Sequence, residues 1–142
     1  MENYDIVEGM TIGAHSVTWK VRSRITGQFM CLKVIKKQKY SRHWRKVMGL
    51  FGKYKQIDHL NQTKIYLFFH DKQNFYILQE LIEGRTIFEE YLMENGFNEI
   101  QLSTYSKQII QFLSVLHQHG IYHSDIKPSN ILITKPPLNN AS

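Results

Sequence analysis

The chain has a single cysteine, Cys31, among its 142 residues. That excludes an internal disulfide framework and suits a reducing compartment, the cytoplasm first and the nucleus second. No apolar run approaches the roughly 20 residues that a membrane helix needs, so a soluble chain with no membrane partner is expected. The opening "MENYDIVEG" lacks the basic-then-apolar layout of a signal peptide, and none is expected. Internal repeats and low-complexity tracts are absent, as are zinc-finger spacing and the GxxxxGK[ST] phosphate loop. Acids are missing where bases are dense: from Lys33 to Lys55 there are nine Lys or Arg and no Asp or Glu, in a chain of net charge +6. Such a run is either a solvated helix face or a surface for an acidic partner or nucleic acid. No nucleic-acid motif accompanies it, so nucleic acid is not an expected partner.

What is present argues for one modest folded domain. The hydrophobic fraction of 42% and aromatic fraction of 13% are those of a chain that buries a core. Residues 4 to 37 have strand character, with "ITGQ" as a hairpin turn before "GQFMCLKVI". From Ser41, a plausible N-cap, Trp44, Val47, Met48, Phe51, Tyr54 and Ile57 recur at three- and four-residue steps, which predicts a helix. Gly49 and Gly52 each cost it about 1 kcal/mol against alanine, so it should be short or bent. "KIYLFFHD" and "NFYILQELI" are two further strands around the turn "DKQN".

After Gly84 the pattern becomes helical. "TIFEEYLMENG" has a glycine stop, and the next helix carries an apolar stripe at Leu102, Tyr105, Ile109, Phe112, Leu113 and Leu116. "HGIYHSDIKPSNILI" then places polar residues ahead of a strand-like stretch, and "TKPPLNNAS" has the composition of a loop. Strands first and helices second suggest an α+β chain of two lobes with a cleft between them.

Two places carry chemistry. In a strand, Cys31, Lys33 and Ile35 share one face, and a lysine among apolar neighbours needs an anion or a route to water. It is an edge-strand lysine that reaches solvent, or it meets an anion that the turn at Gly13 could help to hold through backbone amides. The second place is "HSDIKPSNILI". There an aspartate can orient and deprotonate a hydroxyl, a lysine two residues on can neutralise a phosphoryl group, and an asparagine can ligate Mg²⁺. Pro128 stiffens the loop. His117, His119 and His123 lie close by in sequence, but their spacing fits no standard zinc pattern.

"HSDIKPSNILI" resembles the catalytic loop H-R-D-x-K-x-x-N of eukaryotic protein kinases, and the resemblance extends from Tyr4 to Ile133. It implies a small β-rich N-lobe with one helix over residues 1–83, hinge included. The start of a helical C-lobe, with the catalytic loop, would follow over 84–142. "DIKPSN" is similar to serine/threonine kinases, and with "GAHSV" it points to the calcium/calmodulin-dependent group.

The resemblance implies roles residue by residue. Asp125 becomes the base, Lys127 the charge stabiliser and Asn130 a Mg²⁺ ligand. "CLKVIKK" resembles V-A-I-K, which makes Lys33 the anchor of the α- and β-phosphates. Met10, Gly13 and Thr18 fall in the ATP-covering loop, and Thr11 and Ser16 stand at its other glycine positions. Cys31 would roof the adenine pocket and Leu132 floor it. Gln79 is the gatekeeper, and the Glu80 carbonyl and Ile82 amide meet adenine. ATP, Mg²⁺ and a protein substrate of unknown identity follow as ligands and partners.

Four departures qualify this. The loop keeps one glycine. Ser124 stands where the family has arginine. No acid from Val34 to Ile57 can serve as the helix glutamate that pairs with the strand lysine, a position near Leu50. Finally, residue 142 falls where the D-F-G segment, with its Mg²⁺-binding aspartate, should begin. A fragment of a longer kinase is therefore expected, with little phosphoryl transfer of its own. A nucleotide- or partner-binding pseudokinase is the alternative, and a small basic interaction domain the third reading.

Overall fold

The computed structural model describes residues 3–40 and 43–134, which form two compact units divided after Leu81. The first is an antiparallel sheet with one helix. Its strands are β1 (Tyr4–Ile12), β2 (Ser16–Ser23), β3 (Phe29–Lys36), β4 (Ile65–His70) and β5 (Asn74–Glu80), in the order β1-β2-β3-β5-β4. A 3₁₀ turn at Lys37–Tyr40 leads towards helix α1 (Trp44–Lys55).

Local chemistry sets the hairpins. Between β2 and β3, Gly27 takes φ +72°, the left-handed region where glycine has no Cβ penalty, and the Ser23 hydroxyl accepts from the Thr26 amide at 3.2 Å. Between β4 and β5, Asp71 Oδ1 accepts from the amides of Gln73 and Asn74, both at 2.7 Å. Its Oδ2 accepts from the Tyr76 hydroxyl at 2.7 Å, and these bonds hold the Asp71 carboxyl below the usual aspartate value. "DKQN" is thus a turn built around one aspartate.

The two faces of the sheet differ. Val21, Met30, Leu32 and Leu78 form a buried cluster on one, with Tyr4, Trp19, Val34, Tyr66 and Tyr76 packed against it. A shallow hollow of about 190 Å³ opens there, lined mainly by apolar residues that include Tyr4, Leu67 and Phe69. The opposite face carries Phe75 and Ile77, both buried, and receives α1. Phe51 of α1 stacks on Phe68 at 4.3 Å between centroids, and Phe68 stacks on Phe75 at 5.9 Å.

Helix α1 runs unbroken through both glycines and stops at Lys55, short of Ile57. Its N-cap is His43, which makes no capping bond from its side chain; the expected cap, Ser41, lies outside the described residues.

The second unit holds β6 (Gly84–Thr86), α2 (Ile87–Met93), α3 (Glu99–Gln118), a 3₁₀ turn at Pro128–Asn130 and β7 (Leu132–Thr134), with β6 and β7 paired antiparallel. Both helices begin with reciprocal capping boxes, Thr86 with Glu89 and Asn98 with Gln101. Helix α3 stops because Gly120 takes φ +69°, which lets the Ile121 amide bond back to the Leu116 carbonyl at 2.9 Å. Phe112 and Leu116 of the predicted stripe are buried, whereas Leu102 at its start is 49% exposed.

Two sequence expectations change. The segment after Gly84 opens with a strand before it turns helical, and Thr134, expected in a loop, closes β7. Both follow from one long-range pairing, in which Gly84 lies against Thr134 and Thr86 against Leu132. Residues 135–142, the rest of that predicted loop, lie outside the described residues.

Candidate active site

In the first unit the strand registers gather most of the predicted residues on one face. Thr18 pairs with Lys33 across β2 and β3, and Cys31 pairs with Gln79 across β3 and β5. Paired residues share a face, as do positions two apart, so Thr18, Cys31, Lys33 and Gln79 line the side that also bears Phe75 and Ile77. Glu80 pairs with Met30 and belongs to the opposite face. Its carboxylate accepts from the Lys64 amide at 3.2 Å.

Met10 sits at an irregularity of β1 between Gly9 and Thr11 and is half exposed. Gly13 occupies the turn from β1 to β2, its amide donating to the Ser16 carbonyl at 2.8 Å. Ile82 lies just beyond β5, at the start of the second unit.

The Lys33 ammonium makes no hydrogen bond or ion pair with any described residue. Leu50, where a partner glutamate was sought, is 47% exposed. Cys31 is buried, and burial raises its thiol pKa, with nearby Lys33 opposing the shift. A thiol held protonated in this way is a packing residue rather than a nucleophile.

In the second unit "HSDIKPSNILI" folds into a tight constellation. Ser124 takes φ +61°, the left-handed region that few non-glycine residues adopt. The chain then turns back on itself through Pro128–Asn130, where the Asn130 amide donates to the Lys127 carbonyl at 2.9 Å. This folding brings three side chains together. Lys127 Nζ lies 3.1 Å from Asp125 Oδ1, and Asn130 Nδ2 donates to Asp125 Oδ2 at 2.7 Å and to the Asp125 carbonyl at 2.9 Å.

All three side chains are exposed. Each carboxylate oxygen still has a lone pair free to accept from an incoming hydroxyl. The Asn130 Oδ1, turned away from these bonds, is available to a cation.

The bond from Lys127, then that from Asn130, hold the Asp125 carboxyl below its ordinary value of 3.8. An aspartate depressed in this way adds stability above its unfolded pKa, and the contribution is lost as pH falls through the folded value. Lys127→Met should therefore move the Asp125 titration up towards 3.8, read from its carboxyl carbon by NMR. An unmoved titration would mean that Lys127 does not hold the carboxylate in solution.

The loop is anchored by residues that sequence reasoning passed over. The Ile87 amide at the start of α2 donates to the Ile131 carbonyl at 2.8 Å. A Cβ on Gly84 would fall 2.3 Å from the Ile133 carbonyl oxygen, so only glycine allows β6 to approach β7 there. Leu132, the predicted pocket floor, is held in that ladder opposite Thr86. The one signal in sequence was the glycine of "EGRT", which reads equally well as a loop.

No group of three or more His, Cys, Asp or Glu that could hold a metal occurs among the described residues. Asn130 offers an oxygen donor of the hard kind that Mg²⁺ takes, but only one member of an octahedral set. The remainder would come from phosphate oxygens and water.

Comparison with known proteins gives this arrangement a context. The profile of the protein kinase domain matches residues 4–138. Calcium-dependent protein kinase 4 of Plasmodium falciparum is 29% identical over 134 residues, covering 93% of this chain and 25% of its own length. An Aurora kinase of Saccharomyces cerevisiae is 31% identical over 138 residues, covering 94% of this chain and 37% of its own. The crystal structure of Rad53 1–466 in complex with AMP-PNP superimposes with a TM-score of 0.81 at 26% identity, covering 94% of this chain and 35% of that one. The chain thus spans between 25% and 37% of the length of these relatives.

Proposed function

We propose that this chain, which belongs to the protein kinase domain family, supplies the nucleotide-anchoring and catalytic-loop portion of an ATP-dependent serine/threonine protein kinase. The observation that carries the reading is the triad of Asp125, Lys127 and Asn130, closed by contacts of 2.7 to 3.1 Å on a loop braced by a paired strand. A loop with no chemical task has no need of a cation and an amide fixed on one exposed carboxylate.

Asp125 accepts the hydrogen bond of a substrate Ser or Thr hydroxyl and takes its proton as that oxygen attacks the γ-phosphorus. The bond from the γ-phosphorus to the bridging oxygen breaks, and ADP leaves with the electron pair. Lys127, beside Asp125, offsets the negative charge on the transferring phosphoryl oxygens. Asn130 Oδ1 is the oxygen this loop would offer to Mg²⁺, and the ion would supply positive charge against the phosphates. Lys33, a cation with no carboxylate partner among the described residues, holds the α- and β-phosphates. Gln79, the Glu80 carbonyl and the Ile82 amide serve adenine, Cys31 contacts the base, Met10 and Thr18 cover the nucleoside, and Gly13 covers the phosphates. ATP and a protein substrate are the partners, and a single cysteine suits a cytoplasmic setting.

The test offers the full-length protein and Mg·ATP three peptides that differ only in carrying Ser, Thr or Tyr. Phosphate should appear on Ser and Thr; transfer to Tyr alone, or to none, would sink the reading. Lys33→Met should weaken binding of a non-hydrolysable ATP analogue by roughly tenfold or more, the worth of a charge-assisted hydrogen bond. Unchanged affinity in calorimetry would take Lys33 off the phosphates.

A further inference from the structure

Helix α1 breaks several rules of helix stability at once. Its N-cap makes no side-chain bond to the free amides, and its first turn has no acid but carries Arg45 and Lys46, cations placed at the positive end of the helix dipole. Gly49 and Gly52 lie in its interior, and a Cβ at either would meet nothing within 4 Å, so no close approach explains them. Choices that oppose folding without a packing gain are expected where a surface serves function.

These features fall on one side of the helix. At 100° per residue Arg45, Lys46, Gly49 and Lys53 point away from Val47, Phe51 and Tyr54, which are half-buried. Arg45, Lys46 and Lys53 are exposed, and Lys46 and Lys53 form no ion pair with a described residue. No acid from Val34 to Ile57 can neutralise Lys46 and Lys53 locally, and 14 of the 18 Lys and Arg precede Ile82. The two glycines leave the helix backbone bare between the cations, and Leu50 is 47% exposed at the rim.

We propose that the outward face of α1 is a docking surface for an acidic, extended polypeptide segment of a partner protein. Lys46 and Lys53 are separated by about 10 Å along the axis, which some three residues of extended chain span at about 3.3 Å each. Carboxylates on alternate residues of such a segment meet the cations, and its backbone lies over the glycines. Nucleic acid is disfavoured because the described rings of α1, Phe51 and Tyr54, turn inward and leave nothing for bases to stack on. An anionic membrane is disfavoured because the apolar side of the helix is already packed on Phe68.

The experiment titrates the full-length protein into a fluorescent twelve-residue Glu-Ser repeat and reads anisotropy at low and moderate salt. Binding should weaken with salt and fall roughly tenfold in a Lys46→Glu/Lys53→Glu variant. It should be retained in a Lys64→Glu/Lys72→Glu control, which reverses two charges of the same unit outside α1. Equal loss in both variants, or no binding by the wild type, would overturn the proposal. So would tighter binding, through Lys46 and Lys53, of single-stranded DNA or of phosphatidylserine vesicles. ATP-analogue affinity should be equal in both variants, so the docking proposal and the kinase reading stand or fall separately.

Discussion

Replacing Asp125 with asparagine should lower phosphoryl transfer by the full-length protein roughly 10²- to 10⁴-fold and leave ATP-analogue affinity unchanged, the size of effect expected from removing a general base. The substitution is nearly isosteric, and the constellation explains why it is a clean test. Asp125 accepts through one oxygen from Lys127 and through the other from Asn130, so an amide in its place keeps the shape and one of the two bonds and loses the charge and the proton acceptor. Because Lys127 and Asn130 depress the Asp125 pKa, the carboxylate is ionised throughout the neutral range. The acidic fall in wild-type rate due to this residue should therefore lie below its ordinary value of 3.8. Rate profiles against pH and peptide turnover check both statements. A variant that retains wild-type kcat would show that Asp125 is not the base.

Phe75→Ala should destabilise the first unit by about 3–5 kcal/mol, a large share of the 5–15 kcal/mol that holds a typical domain together. Phe75 is 1% exposed and pairs with Ile35 in the β3–β5 ladder. It also ends the ring stack that runs through Phe68 to Phe51 and ties α1 to the sheet. Truncation leaves a cavity under the one helix of the unit, and α1 has little intrinsic stability to fall back on, with two interior glycines and no side-chain N-cap. Urea denaturation should show a lower midpoint, with Phe75→Leu intermediate. A midpoint within error of the wild type would mean that the stack contributes little to the fold.

Much of this protein can be read along the chain. The alternation of "CLKVI" places Cys31 and Lys33 on one face of a strand, and the β2–β3 and β3–β5 registers agree with it. The α+β, kinase-like order of strands before helices likewise follows from where period two gives way to period 3.6. The spacing of Asp125, Lys127 and Asn130 is legible for a similar reason. All three lie within six residues, and a short turn is enough to bring them together.

The rest depends on contacts that no local pattern encodes. β6 and β7 are three residues each and have no period to show; they exist because Gly84, some fifty residues from Thr134, lets two backbones approach. The approach of the Lys127 ammonium and the Asn130 amide to Asp125, and with it the depressed titration of that carboxyl, needed the loop to bend at Ser124 and to be pinned by the Ile87 amide. Composition and spacing act through neighbours along the chain, and by themselves they determined the strand faces, the helices and the closeness of Asp125, Lys127 and Asn130. Only the tertiary structure decided which acceptor each donor finds, because burial, close approach and charge are set by residues distant in sequence.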